Sequence, residues 1–301
     1  MKKLNKKNNL KYFILFILSI FIFTSFLYGE VSEYKYKIHP TLMLYDKKLD
    51  KKLSENISIP EGIKINKCEN INPRIGISSH HLLVYPIMDA YFKHLSELKP
   101  DIKNFIIISP SHFDQGFKNI SLSSLPWNLG DITVKVNKKY IADILKHLNL
   151  NEDRRSFHME HGIYSLLPFI KKYFPDSKIV PILIKQKKNQ YLKIVKLKNS
   201  IKKILVNDKN SFLLMSIDFS HHAGKTVTEK RDKKNMFALK NIDTNYYNKI
   251  WCDNTIGIRL MYKIIRDLKF KQSSIFCHTN GSKYLNKNIE DITSYFWVYI
   301  Y

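Results

Sequence analysis

The feature that most constrains this chain is a set of short apolar segments that each stop at a histidine or an aspartate. Phe105 to Ile108 is apolar and rich in β-branched residues, as expected of a strand buried on both faces in the middle of a sheet. Pro110 cannot continue a central ladder, so the strand ends there and His112 stands at its carboxyl end. Arg74 to Ser79 is a second such strand and runs directly into His80-His81. Ser211 to Ile217 is a third, followed by Asp218-Phe-Ser-His221-His222. Open α/β sheets bind ligands at the carboxyl ends of their strands. One histidine there is compatible with a structural role; recurrence at three strand ends is hard to attribute to chance.

Between the first two strands, Val84, Ile87, Met88, Tyr91, Phe92 and Leu95 recur at helical spacing. A strand–helix–strand unit crosses over with a right hand, which puts both strand ends on one side of the sheet. His80 and His112 are therefore expected to converge. The rest of the chain alternates in the same manner. Ile120–Ser123 and Asp131–Val136 read as strands, Tyr140–Leu148 as an amphipathic helix with His147 on its surface, and Lys178–Ile184 as a strand that Pro181 demotes towards an edge or a bulge. A basic amphipathic helix is expected over about 189–205, and a polar helix with few apolar anchors within 225–250. Gln272–His278 and Asp291–Tyr301 close the domain as strands, with Asn280-Gly281 as the turn signal between them. The fold class is α/β: one three-layer domain over 71–301, with a mostly parallel central sheet flanked by helices.

Two further motifs bear on chemistry. His158-Met-Glu160-His161-Gly162 opens a helix; Glu160 either caps it, as a carboxylate suits that end of the macrodipole, or works with His161 to orient a ligand or move a proton. Trp251-Cys252-Asp253-Asn254-Thr255 precedes a helix, and Asp253, Asn254 and Thr255 are all good N-cap residues. Cys252 is either a buried inert thiol or a thiolate favoured by the helix end. Together His80, His112, Asp218, His221 and Cys252 fall at loops on one expected edge. Two imidazoles and a thiolate suffice for iron, copper or zinc, with Asp218 and His221 placed for orientation or proton transfer.

The formal charge is +24, supplied mostly by scattered lysines, without the dense basic and aromatic stripe that a nucleic-acid groove requires. No nucleic-acid partner is expected. Lys2, Lys3, Lys6, Lys7 and Lys11 precede an uncharged run from Tyr12 to Tyr28. Residues 1–29 are therefore expected to be a signal or membrane anchor, with 30–70 as tether and N-terminal arm. This predicts a membrane-anchored, extracytoplasmic domain, or a secreted or periplasmic one if the segment is cleaved. No disulfide is expected between Cys68 and Cys277.

The ordered set Ser79-His80-His81, Ser109-Pro-Ser-His112, Glu160-His161-Gly162, Leu167-Pro-Phe169, Ser216-Ile-Asp218-Phe-Ser-His221 and Cys252 ahead of Ile256-Gly257 resembles the Memo family, in particular the bacterial proteins called AmmeMemoRadiSam system protein B. The resemblance spans residues 74 to about 282 and implies a fold like that of class III extradiol dioxygenases. It implies His80, His112 and Cys252 as metal ligands, with Asp218 and His221 as catalytic residues lining the same pocket. The implied cofactor is a transition metal, iron or copper ahead of zinc, and the implied partner a small molecule or dioxygen. Ser79 stands where the family usually has proline, and Tyr164 where most members carry glutamate. Relative to the dioxygenases, Cys252 replaces a carboxylate ligand, so ring cleavage is not inherited. Two function classes stay open: a metal-dependent oxidoreductase, and a non-enzymatic metal-binding or partner-binding module on the same fold.

Overall fold

The computed structural model describes residue 39 and residues 58–301 apart from 131, 188, 243 and 244; all of them belong to the second of the chain's two units, Lys37–Tyr301. Strand β1 (Ile75–Ser78), β2 (Asn104–Pro110), β6 (Lys178–Ile184) and β7 (Ser211–Ser216) form a parallel core in the order β6-β2-β7-β1. Every residue of β1 and β7 is buried, which is why these strands read as continuous apolar runs rather than alternating ones. Antiparallel strands complete the mixed sheet. β3 (Ile120–Leu122) pairs with β6 on one side, while β10 (Ile292–Ile300) pairs with β1 on the other and carries both β8 (Phe219–Ala223) and β9 (Ser273–Asn280). Strands β4 (Trp127–Leu129) and β5 (Ile132–Val134) form a separate two-stranded ribbon.

Helices cover the sheet as two further layers. Helix α1 (Tyr85–Leu98) packs with α4 (Leu167–Tyr173), which follows the single turn α3 (His161–Tyr164). Phe92 stacks on Phe169 at 5.9 Å, and Phe105 of β2 meets Phe174 edge-on at 5.0 Å. Helices α2 (Lys138–Leu148), α5 (Tyr191–Asn207) and α7 (Thr255–Leu268) pack in series as the other layer. Helix α6 (Lys225–Asn241) lies against β8, β9 and β10, and α8 (Gly281–Leu285) closes the connection between β9 and β10. Asn280 thus caps a short helix, accepting from Lys283 N, instead of forming the tight turn its Asn-Gly pair suggested.

Two expectations change here. Pro181 does not mark an edge or a bulge: it pairs in register with Ile107 inside β6. Ile179 N donates to Lys135 O and Lys185 N to Asn119 O, so by the two-residue alternation the Pro181 nitrogen faces the same side. It falls in the gap between the bridge at Ile179 and the β3 ladder that starts at Ile182, where no donor is needed. The membrane-anchored, extracytoplasmic placement is also corrected. Among the described residues no helix is long and apolar enough to cross a membrane, and the 1–29 segment on which that reading rested lies outside them. Of the arm before β1, Ile59, Ile63 and Ile65 are partly buried against the core, and Ile65 bridges to Cys277.

Candidate metal centre

Because β2, β7 and β1 are adjacent and parallel, the residues that follow them emerge side by side. Ser79 and His80 leave β1, His112 leaves β2 one turn beyond Pro110, and Asp218 leaves β7. The His80 and His112 rings lie 4.8 Å apart, edge to face, and the His161 ring lies 4.1 Å from His112 and 5.4 Å from His80. His80 is almost fully buried.

The hydrogen bonds fix how these rings are turned. Ser216 Oγ donates its single proton to the Gly162 carbonyl, so towards His80 Nδ1, 3.0 Å away, it can only accept. His80 Nδ1 therefore carries the ring hydrogen, and the Nε2 lone pair points the other way. There it meets Asp253 Oδ2 at 3.4 Å and Asp218 Oδ2 at 3.5 Å. A bare lone pair facing two carboxylates is repulsive unless a cation lies among them. His112 is turned alike: its Nδ1 lies 2.6 Å from Glu160 Oε1, and its Nε2 faces Asp253 Oδ2 at 3.8 Å, beyond hydrogen-bond reach. His221 Nε2 completes the ring of groups, 3.6 Å from Asp253 Oδ2 and 3.9 Å from Asp218 Oδ2. His112 Nε2, His221 Nε2, Asp218 Oδ2 and Asp253 Oδ1 are buried without a hydrogen-bond partner among the described residues. Four such atoms within one cluster need something to bind.

Glu160 both caps and orients. It accepts from Gly162 N at 2.8 Å, which is the cap of α3, and from His112 N at 2.9 Å in addition to the ring. Burial opposes its charge, yet the bonds and charge of His112 hold its carboxyl below the usual range. Asp218 is held by Ser79 Oγ and by the backbone N–H of His80.

Burial and neighbouring charges divide the cluster into neutral and charged groups. Burial pushes His80 down to about 3 and, with the neighbouring His80 and His112, His161 down to about 4. Burial also works against the charged form of His112, but the carboxylates of Asp253 and Glu160 outweigh it and lift His112 to about 10. For His221 the same contest ends the same way, through Asp253 and Asp218. Burial and the Asp253 charge raise Asp218, whereas the imidazoles around Asp253 overcome burial and lower it. The cluster keeps its cationic proton on His112 and its firmest negative charge on Asp253.

Among the described residues, two groups of three bring metal-ligating atoms within 4.8 Å of one another: His80, His112 and His161, and His80, Asp218 and Asp253. Cys252 belongs to neither. It lies in an isolated bridge with Phe219, and the carboxylate of the next residue, Asp253, is the group that reaches His80 and His221. Burial and the Asp253 charge push the Cys252 thiol well above its ordinary value, the reverse of what a helix end would do. Of the three cap candidates it is Asn254 that caps the helix, accepting from Gly257 N at 2.7 Å. Asp253 was legible in sequence only as one of three cap candidates.

A family model described as Memo-like protein matches residues 43–284. The chain belongs to the Memo-like family. Among its relatives, a MEMO1 family protein of Pyrobaculum aerophilum is 27% identical over 147 residues, 48% of this chain and 51% of the relative. A MEMO1 family protein of Caldivirga maquilingensis is 29% identical over 157 residues, 51% of this chain and 54% of the relative. One from Saccharolobus solfataricus is 27% identical over 158 residues, again 51% and 54%. This Memo-like chain therefore spans about half the length of the curated relatives it matches.

Proposed function

We propose that the strand edge holds one transition-metal ion and uses it in redox chemistry on a small molecule or dioxygen. The observation that carries this reading is the inward turn of His80 and His112, whose Nδ1 hydrogens are committed to Ser216 and Glu160 while both Nε2 atoms face carboxylates. Histidines that ligate metals are oriented in this way by a partner on the other ring nitrogen. His80, His112 and Asp253 would be the ligands, a two-imidazole, one-carboxylate set that suits iron ahead of copper, and both ahead of zinc. When bound, such an ion supplies Lewis acidity and one-electron chemistry.

The protein groups around it have separate tasks. Ser216 and Glu160 fix the rings, Ser79 fixes Asp218, and Asp253 keeps negative charge at the site. His221 is partly buried, with its buried Nε2 unpartnered beside the two aspartates, and would take or give a proton at that atom. Because His112 carries a proton when no metal is bound, uptake of a divalent ion releases it.

Metal content per chain tests the proposal. Purified protein loaded anaerobically with Fe(II) should hold one ion per chain; His80→Ala, His112→Ala and Asp253→Asn should abolish stoichiometric binding, and Cys252→Ala should keep it. Full loss in Cys252→Ala with retention in Asp253→Asn would refute the ligand set. Wild-type chain that takes up neither iron nor copper would leave the fold as a non-enzymatic module.

A further inference from the structure

A second cleft lies beyond the metal centre, between the loop after β6, the start of α5 and one face of α7. Its volume is about 320 Å³, within the range of small-molecule sites. Helix α7 contributes Ile256, Arg259, Leu260 and Lys263, a single stripe at helical spacing, and Gln190 and Tyr191 face them from the α5 side. Among the described residues no aspartate or glutamate lines the cleft, although Lys187, Arg259 and Lys263 all do.

Three features of this lining lack an internal reason. Arg259 forms no ion pair or hydrogen bond among the described residues, and Lys263, one turn on, is a like charge at the i,i+4 spacing that destabilises a helix. Lys263 Nζ has only the Tyr191 ring beneath it, 4.8 Å away, while Lys187 is already paired with Asp114 at 2.9 Å. Tyr191 is 66% exposed although the cleft floor beside it is apolar. Gln190 is the third: it is buried, its Nε2 donates to Lys185 O at 2.7 Å and Lys187 O at 3.2 Å, and its Oε1 is buried with no partner among the described residues. The two carbonyls require the amide nitrogen on their side, so the unsatisfied atom is an acceptor.

We propose that this cleft binds a phosphate monoester of mononucleotide size. Arg259 and Lys263 supply two positive charges that no carboxylate pairs among the described residues, the complement of a phosphate dianion, with the guanidinium able to form a two-bond fork. Tyr191 offers an exposed face on which a flat ring stacks. Gln190 Oε1 accepts from a hydroxyl or amino group of the ligand, which a bare phosphate does not have. The site does not depend on the metal reading. Its ties to the edge are structural: Gln186 Nε2 donates to Asn254 Oδ1 at 3.1 Å, and Gln186 Oε1 accepts from Thr255 Oγ1 at 3.0 Å, holding the cleft loop to the start of α7.

Calorimetric titration of the full chain with AMP, ribose 5-phosphate, adenosine and inorganic phosphate tests this. AMP should bind tightest, ribose 5-phosphate next, and adenosine and phosphate more weakly than either. Arg259→Ala and Lys263→Ala should each weaken AMP by about tenfold or more, the loss expected for one charge-assisted bond. Lys233→Ala, on the exposed side of α6, should leave it unchanged, and so should His80→Ala, which keeps the result separate from metal binding. Both cleft residues can be replaced without touching the core, and circular dichroism checks that the variants fold. Equal binding of AMP and inorganic phosphate would show an adventitious anion site and overturn the proposal, as would AMP binding that Arg259→Ala leaves unaltered.

Discussion

Gly162 is where the backbone of α3 comes closest to β2, and it gives the sharpest structural prediction. A Cβ added there would overlap Ser109 Oγ and would stand 3.1 Å from Glu160 Oε1 and 3.2 Å from His112 Cε1. Ser109 Oγ is held by its bond to Pro110 O at 3.1 Å in a fully buried position, so it cannot swing into solvent. Gly162→Ala should therefore cost about 1–3 kcal/mol, the range for overpacking a filled core. At about 2–4 °C per kcal/mol for a domain near this size, the melting temperature should fall measurably. The closest collision involves one atom, which makes the reasoning separable: Ser109→Ala removes that oxygen. In the Ser109→Ala background most of the Gly162→Ala penalty should vanish, leaving a coupling of about 1 kcal/mol or more in a double-mutant cycle. Urea unfolding of the four proteins measures it. A Gly162→Ala penalty of equal size in both backgrounds would show that the close approach to Ser109 is not what excludes a side chain.

Three further outcomes follow from the same contacts. Glu160→Gln keeps the size of the side chain but loses the charge facing three donors, so it should weaken metal affinity about 10–100-fold while the chain stays folded, read by competition with a chelator. His39 is buried, 2.8 Å from Ser123 Oγ, and burial pushes it down to about 3. Its folded pKa is below the unfolded value of about 6.5, so the unfolded chain binds the extra proton. The stability it contributes is intact above that value and falls by about 1.4 kcal/mol per unit as pH drops towards 3; His39→Leu should flatten this dependence in unfolding curves taken between pH 7 and 5. Cys68, Cys252 and Cys277 are all free thiols, so non-reducing mass spectrometry of the native chain should find no Cys68–Cys277 linkage.

Much of the fold could be read because the parallel strands are buried on both faces and have no polar residues to interrupt their apolar runs. The carboxyl-end position of His80, His112 and Asp218 followed from the strand stops alone, whereas His221 lies within β8. Helix α6, expected as a polar helix within 225–250, has few apolar anchors because its buried face is polar: Asp232 is held by His278 and Ser294, and Asn235 by both backbone groups of Trp251. What the sequence did not show has local causes. Pro181 misled because a missing donor matters only where an acceptor waits, and the gap between two short partner segments is set by tertiary structure. Asp253 was inconspicuous beside Asn254, an equally good cap, and beside Cys252, whose chemistry drew attention first. Which of two neighbours turns its side chain into a cluster is decided by local backbone geometry, and composition does not carry that.

The order of the parallel strands also governs when the site can exist. β7 is the last of the four to leave the ribosome, yet it lies between β2 and β1, which are made much earlier. Until it inserts, His80 has no Ser216 to set its ring, Asp218 is absent, and the two histidine-bearing strands lack the partner that spaces them. Non-local pairing of this kind is slow, since a long loop must close before any contact rewards it. A nascent or partly folded chain is therefore unable to bring His80, His112 and Asp218 together, and the proposed metal loading would be a late event that reports completion of the sheet.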